Sequence, residues 1–146
     1  MKIPRLTVVT LGVADLQRAT EFYAQVLGTP PNTSHKGVTF IELPGVWLSL
    51  FPLEHLAGDI SPQVLPQRGA FSGFTLAFNT RSKEEVTTIV ERARSAEARI
   101  WKEPQEASWG GFHAYFSDPD GYFWEVVWAP MFEFTEDGAL KPAGAG

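Results

Sequence analysis

The chain has 146 residues, no cysteine, and twelve Lys and Arg against seventeen Asp and Glu, for a formal net charge of −5. That length suits one domain, or two small modules sharing a core. The composition excludes disulfides, thiolate nucleophiles and Cys-type metal sites, and the acidic balance offers no footprint for nucleic acid. Aromatic residues make up 13% of the chain and include five Trp, a surplus that needs an explanation.

Met1–Leu6 lacks the apolar core of a signal peptide. No stretch stays apolar long enough to span a membrane. A soluble, cytoplasmic protein is therefore expected. Arg5–Val13 is rich in Val, Thr and Leu and predicts a strand. Asp15 is suited to cap a helix whose apolar positions are Leu16, Ala19, Phe22, Tyr23, Val26 and Leu27. Gly28 and Pro30-Pro31 end it. Val38–Leu43 and Val46–Phe51 predict strands joined by Pro44-Gly45, a type II turn signature. Pro52–Gly69 reads as a linker with one helical turn at Leu53–Ala57.

The pattern then restarts. Phe71–Phe78 predicts a strand. Ser82 and Glu85 form a capping box for a helix that buries Val86, Ile89, Val90 and Ala93. Arg99–Glu103 predicts a short strand ending at Pro104, with Arg92, Arg94 and Arg99 solvated around the helix and its exit. Gly110–Ser117 and Tyr122–Trp128 predict a hairpin, and the tail Phe134–Gly146 is expected to fray. This is an internal repeat in element order: a first module over about residues 3–58, a linker over about 59–69, a second module over about 70–130, and a tail. The implied fold class is α+β, two βαβββ-type modules with curved mixed or antiparallel sheets enclosing a cavity and helices outside.

The last hairpin decides which side chains meet. Asp118-Pro119-Asp120-Gly121 fits a type I turn with a G1 bulge at Gly121. Asp118 then pairs with Tyr122, Ser117 with Phe123, Tyr115 with Glu125, and His113 with Val127. Opposed residues share a sheet face. One face carries His113, Tyr115, Phe123, Glu125 and Val127, while the other is an apolar set of Ala114, Phe116, Trp124, Val126 and Trp128. Glu125 therefore sits beside a tyrosine, with His113 diagonal to it. Gly110-Gly111 enters a strand with no helix behind it, so it is not a phosphate loop.

The segments LTVVTLGVADLQRATEFYAQVLG, GFTLAFNT and FSDPDGYFWEVV resemble the vicinal oxygen chelate superfamily, which includes glyoxalase I, extradiol dioxygenases, fosfomycin-resistance enzymes and bleomycin-binding proteins. The resemblance covers roughly residues 3–130 and implies paired βαβββ modules around a cavity, a homodimer, and a divalent metal held at matching positions. Those positions fall on Val8, on Thr75 (the offset that takes Asp15 to Ser82 takes Val8 to Thr75), on Ser49 and on Glu125. Only Glu125 offers a metal-ligating side chain of the usual kind. No cofactor is therefore expected, with a divalent metal as the minor alternative. His35 and His55 lack metal-ligand spacing.

The favoured expectation is a metal-free protein that binds an aromatic or apolar small molecule, with no nucleic-acid or membrane partner. The negative net charge favours a cationic guest. The alternative is an enzyme of the isomerase or lyase type. Its catalytic candidates are Glu125 as general base with Tyr115 and His113 assisting, Tyr115 by orienting with its hydroxyl. A metal-dependent glyoxalase-like lyase or dioxygenase, as the resemblance implies, is the distant third alternative. The ligand-binding candidates are Trp47, Ser49, Val8, Thr75, Phe123 and Trp109, and Trp101 is a further possible rim residue. Phe22, Phe74, Phe78, Phe116, Trp124 and Trp128 are assigned to the core.

Overall fold

Val8–Val13 forms β1 and Leu16–Leu27 forms α1. The carboxylate of Asp15 accepts from the Arg18 backbone N–H at 3.0 Å, so the predicted cap is in place. Gly28, with φ of 71°, closes α1 in the left-handed conformation that favours glycine. Thr39–Ile41 forms β2 and Trp47–Pro52 forms β3, and Gly45 between them has φ of 86°, as the type II turn requires. The computed structural model describes residues 1–3 and 5–142.

The chain divides into two compact units, with the boundary between Phe74 and Thr75. In the first, strand order is β1-β3-β2, with β1 parallel to β3 and β2 antiparallel to it. Alternation places Leu11, Val13, Leu48, Leu50 and Ile41 on the buried side, matched by Ala19, Phe22, Tyr23 and Val26 of α1. The second half of the expected linker is irregular, but its start is α2, Leu53–Ile60, twice the length of one helical turn. Gly12 makes room for it. A Cβ there would lie 2.6 Å from Leu53 Cδ1 and 3.2 Å from its Cα.

The second unit repeats the plan with one more strand. Its elements are β4 (Leu76–Asn79), α3 (Lys83–Ser95), β5 (Arg99–Glu106), β6 (Phe112–Ser117) and β7 (Phe123–Trp128), in the sheet order β4-β7-β6-β5. In the first unit the counterpart of β5 shrinks to a single bridge, Asn32 to Phe40. Pro30-Pro31 precede that bridge and have no N–H to extend a ladder. Val86, Val90 and Ala93 of α3 are buried with Ala114, Phe116, Trp124 and Val126, and the Phe116 and Trp124 rings stack 5° from parallel. The architecture is α+β with two mixed sheets, as the sequence predicts.

Four local expectations need correction. Phe71–Thr75 of the predicted strand is not extended sheet, because Gly73 turns the chain with φ of 86°; Phe74 is consequently exposed rather than core. The Ser82 hydroxyl accepts from the Glu85 N–H, but the Glu85 carboxylate accepts from Arg81 N–H instead of returning to Ser82, so the box is displaced by one residue. β5 does not stop at Pro104 but passes it, with register shifts between Ile100 and Lys102 and between Lys102 and Gln105 absorbing the missing donor. The tail does not fray at its start. Phe134 pairs with Leu140 across a turn, and Arg81 lies over the Phe134 ring at 4.9 Å. Residues 143–146 lie outside the described residues.

Candidate functional site

The hairpin β6–β7 has the predicted register throughout: Ser117 opposes Phe123, Tyr115 opposes Glu125 and His113 opposes Val127. The turn that sets it is built as the residues dictate. Gly121 has φ of 85°, and the Asp118 N–H donates to the Tyr122 carbonyl at 3.0 Å. Asp118 Oδ1 accepts from the N–H groups of Asp120 and Tyr122 at 3.0 and 2.8 Å. Four of the predicted site residues, His113, Tyr115, Phe123 and Glu125, therefore share one face of the second unit's sheet.

On that face His113 Nδ1–H donates to Glu125 Oε2 at 2.7 Å. The two side chains are only 8% and 19% exposed. Tyr115 stands beside them. Burial first, then the negative charge of Glu125 and hydrogen bonding to it, hold its phenol above the ordinary range. The imidazole is edge-on to both Tyr115, at 5.4 Å, and Trp109, at 6.1 Å. Gly111 permits the second contact, since a Cβ at that position would collide with the Trp109 ring. The indole therefore folds back over the strand entry while remaining 48% exposed.

The β5 side of this face adds residues that the sequence does not single out as a group. Trp101 Nε1–H donates to Ser117 Oγ at 2.9 Å, and its ring lies 5.5 Å from that of Phe123. Arg99 is not merely solvated at the helix exit: its Cζ sits 3.5 Å from the centre of the Trp101 ring. Lys102 Nζ lies 5.7 Å from the centre of the Tyr115 ring. The bulge between Ile100 and Lys102 makes this grouping possible, and no residue pattern in the sequence announces it. Arg94, by contrast, is tied to Glu103 by two contacts of 2.7 Å.

Thr75 lies one residue before β4 and is exposed. In the first unit Val8 opposes Trp47, and Ser49 lies between Thr10 and Phe40 in register, so Val8, Trp47 and Ser49 share a sheet face. Trp47 packs against Phe40 at 5.8 Å and stays 40% exposed, whereas Ser49 is buried. A separate concavity of about 540 Å³ lies between α1 and the segment leading to β2, lined by residues that include Thr20, Glu21, His35 and Lys36. It contains none of the predicted site residues.

Residues 5–126 match the glyoxalase/bleomycin resistance protein/dioxygenase superfamily. The chain belongs to this superfamily. A glyoxalase-related enzyme from Fulvimarina pelagi is 28% identical, with a TM-score of 0.86 over 97% of this chain and 99% of that one. A glyoxalase/bleomycin resistance protein/dioxygenase from Nocardioides is 26% identical, with a TM-score of 0.75 over 88% and 85% of the two chains. Among curated proteins, the glutathione transferase FosA of Serratia marcescens is 26% identical over 117 residues, which is 80% of this chain and 75% of that protein.

At the positions where the resemblance puts metal ligands, each side chain can be described by itself. Val8 has no donor atom, Thr75 and Ser49 offer neutral hydroxyls, and the Glu125 carboxylate already accepts from His113. Among the described residues no group of three or more His, Cys, Asp and Glu side chains gathers where an ion could sit. Nor is any described helix long and apolar enough to cross a membrane.

Proposed function

We propose that this superfamily member is a small-molecule binding protein, and that the β6–β7 face of its second unit takes an aromatic or apolar ligand without a resident metal. The observation that carries the reading is the His113–Glu125 hydrogen bond, a fixed polar anchor set among aromatic rings. Such a surface offers stacking area together with a few oriented polar groups, the usual make-up of a ligand site. The unsuitable donor set at Val8, Ser49 and Thr75 supports the metal-free part. A homodimer in the cytoplasm goes with the proposal, and light scattering on the purified protein tests the dimer.

The deciding experiment is a thermal-shift and calorimetric screen of aromatic compounds against the protein as purified, with metal content measured in parallel. Binding that raises Tm and is lost in Glu125→Ala supports the reading. Near-stoichiometric Zn, Ni, Mn or Fe, or silence across the screen, overturns it.

One observation favours a second reading, an enzyme of the isomerase or lyase type with Glu125 as general base. The short contact to His113 joins a carboxylate to an imidazole that can take up or release a proton. The Serratia relative is an enzyme by name, a glutathione transferase. Turnover that falls at least about a hundredfold in Glu125→Gln, with ligand affinity little changed, would favour this reading over simple binding.

A further inference from the structure

Resting on the binding reading above, we infer that the ligand is a planar aromatic anion, a carboxylate or similar oxyanion on a ring, held at the β5 side of the face. The protein as a whole is acidic, but this face is not. Among the described residues the carboxylate on this face is Glu125, which is engaged by His113, and two cations, Arg99 and Lys102, stand over its aromatic rings. Arg94 and Lys83, elsewhere on the same unit, have carboxylate partners at 2.7 Å. Among the described residues no carboxylate pairs with Arg99 or Lys102.

The rings beneath them are set in place. Trp101 is pinned by its hydrogen bond to Ser117 and packed against Phe123, yet it remains 49% exposed. An exposed but immobilised indole is a stacking surface that has little rotamer freedom left to lose on binding. Arg99 lies against that surface, and a guanidinium carries a fork of N–H donors matched to a carboxylate. A ligand that stacks on the ring system therefore brings its anionic group to the two cations. Net charge sets the long-range field, whereas the local pair decides what is held at contact.

Calorimetric titration of the intact protein with three probes of one ring system tests this: naphthoate, its neutral isostere naphthamide, and naphthylmethylammonium. Naphthoate is expected to bind about tenfold more tightly than naphthamide, a preference that weakens at high salt. Arg99→Gln and Lys102→Gln should each erode that preference, the ratio of naphthoate to naphthamide affinity, with circular dichroism and an unchanged Tm showing that the variants are folded. Equal binding of all three probes, or tighter binding of the ammonium, overturns the inference and leaves the face as a ligand site. A preference that survives both substitutions also overturns it, because the two cations would then only cover the rings of an edge strand. Silence from all three probes overturns the inference and the binding reading together.

Discussion

His113 and Glu125 are diagonal neighbours on the β6–β7 ladder, yet their side chains meet at 2.7 Å. The register puts Tyr115, not His113, opposite Glu125. The imidazole therefore reaches across the pleat to the carboxylate, and both groups end up largely buried. Partial burial favours the pairing, because either group left alone would lose a hydrogen bond that water replaces only in part.

Glu125→Ala is accordingly expected to destabilise the protein by about 2–4 kcal/mol, because it strands a buried imidazole. Glu125→Gln keeps an acceptor for His113 Nδ1–H and should cost about 1 kcal/mol. Urea melts of the two variants check the difference. Equal losses would mean that the hydrogen bond adds nothing beyond packing.

Tyr115 predicts an alkaline signature. Its phenol is raised by burial and by Glu125, so the folded state prefers the neutral form. For a raised group the contribution to stability is fully present below the unfolded value, near pH 10, and is lost as pH rises through the folded value. Stability measured upward from about pH 9 should therefore fall more steeply in the wild type than in Tyr115→Phe. Parallel curves would show that the phenol does not titrate differently on folding.

Gly111→Ala introduces a Cβ where the Trp109 ring lies. The indole must swing off the strand entry and lose its edge contact with His113. Tryptophan emission should shift to the red and become easier to quench with acrylamide. Aromatic ligand affinity should fall by about threefold to tenfold, the loss of one aromatic contact. A spectrum identical to wild type would show that the ring has another resting place.

Asp118→Ala removes the acceptor that holds the N–H groups of Asp120 and Tyr122. A loss of about 1–3 kcal/mol is expected, with Asp118→Asn closer to wild type. Denaturant midpoints at constant slope measure it. Because this turn fixes the hairpin register, the alanine variant should also weaken ligand binding more than its stability loss alone explains.

Much of this site was legible in the residues. Asp118-Pro119-Asp120-Gly121 specifies one turn, the turn specifies the register, and the register puts Glu125 beside Tyr115 on one face. Asp15, Gly28 and Ser82 mark helix ends because their chemistry has few other uses there. The His113–Glu125 bond was only half visible, since pairing tables give opposed residues and not the reach of a side chain to a diagonal neighbour. The Arg99–Trp101 contact was invisible, because it depends on a bulge, and a bulge shifts faces without any composition signal of its own. Phe74 misled for the opposite reason. Its strand-like neighbourhood is interrupted by Gly73, whose positive φ outweighs the propensity of the residues around it.

The irregular course of β5 bears on how the protein behaves at high concentration. It is the last strand of its ladder, and an even, apolar outer strand is an invitation for a second molecule to add on and continue the stacking. Two register shifts, a proline and a run of charged side chains make it a poor template for that addition. The same breaks in the ladder that turn Trp101 toward Ser117 thus also guard the unit against fibrous self-association.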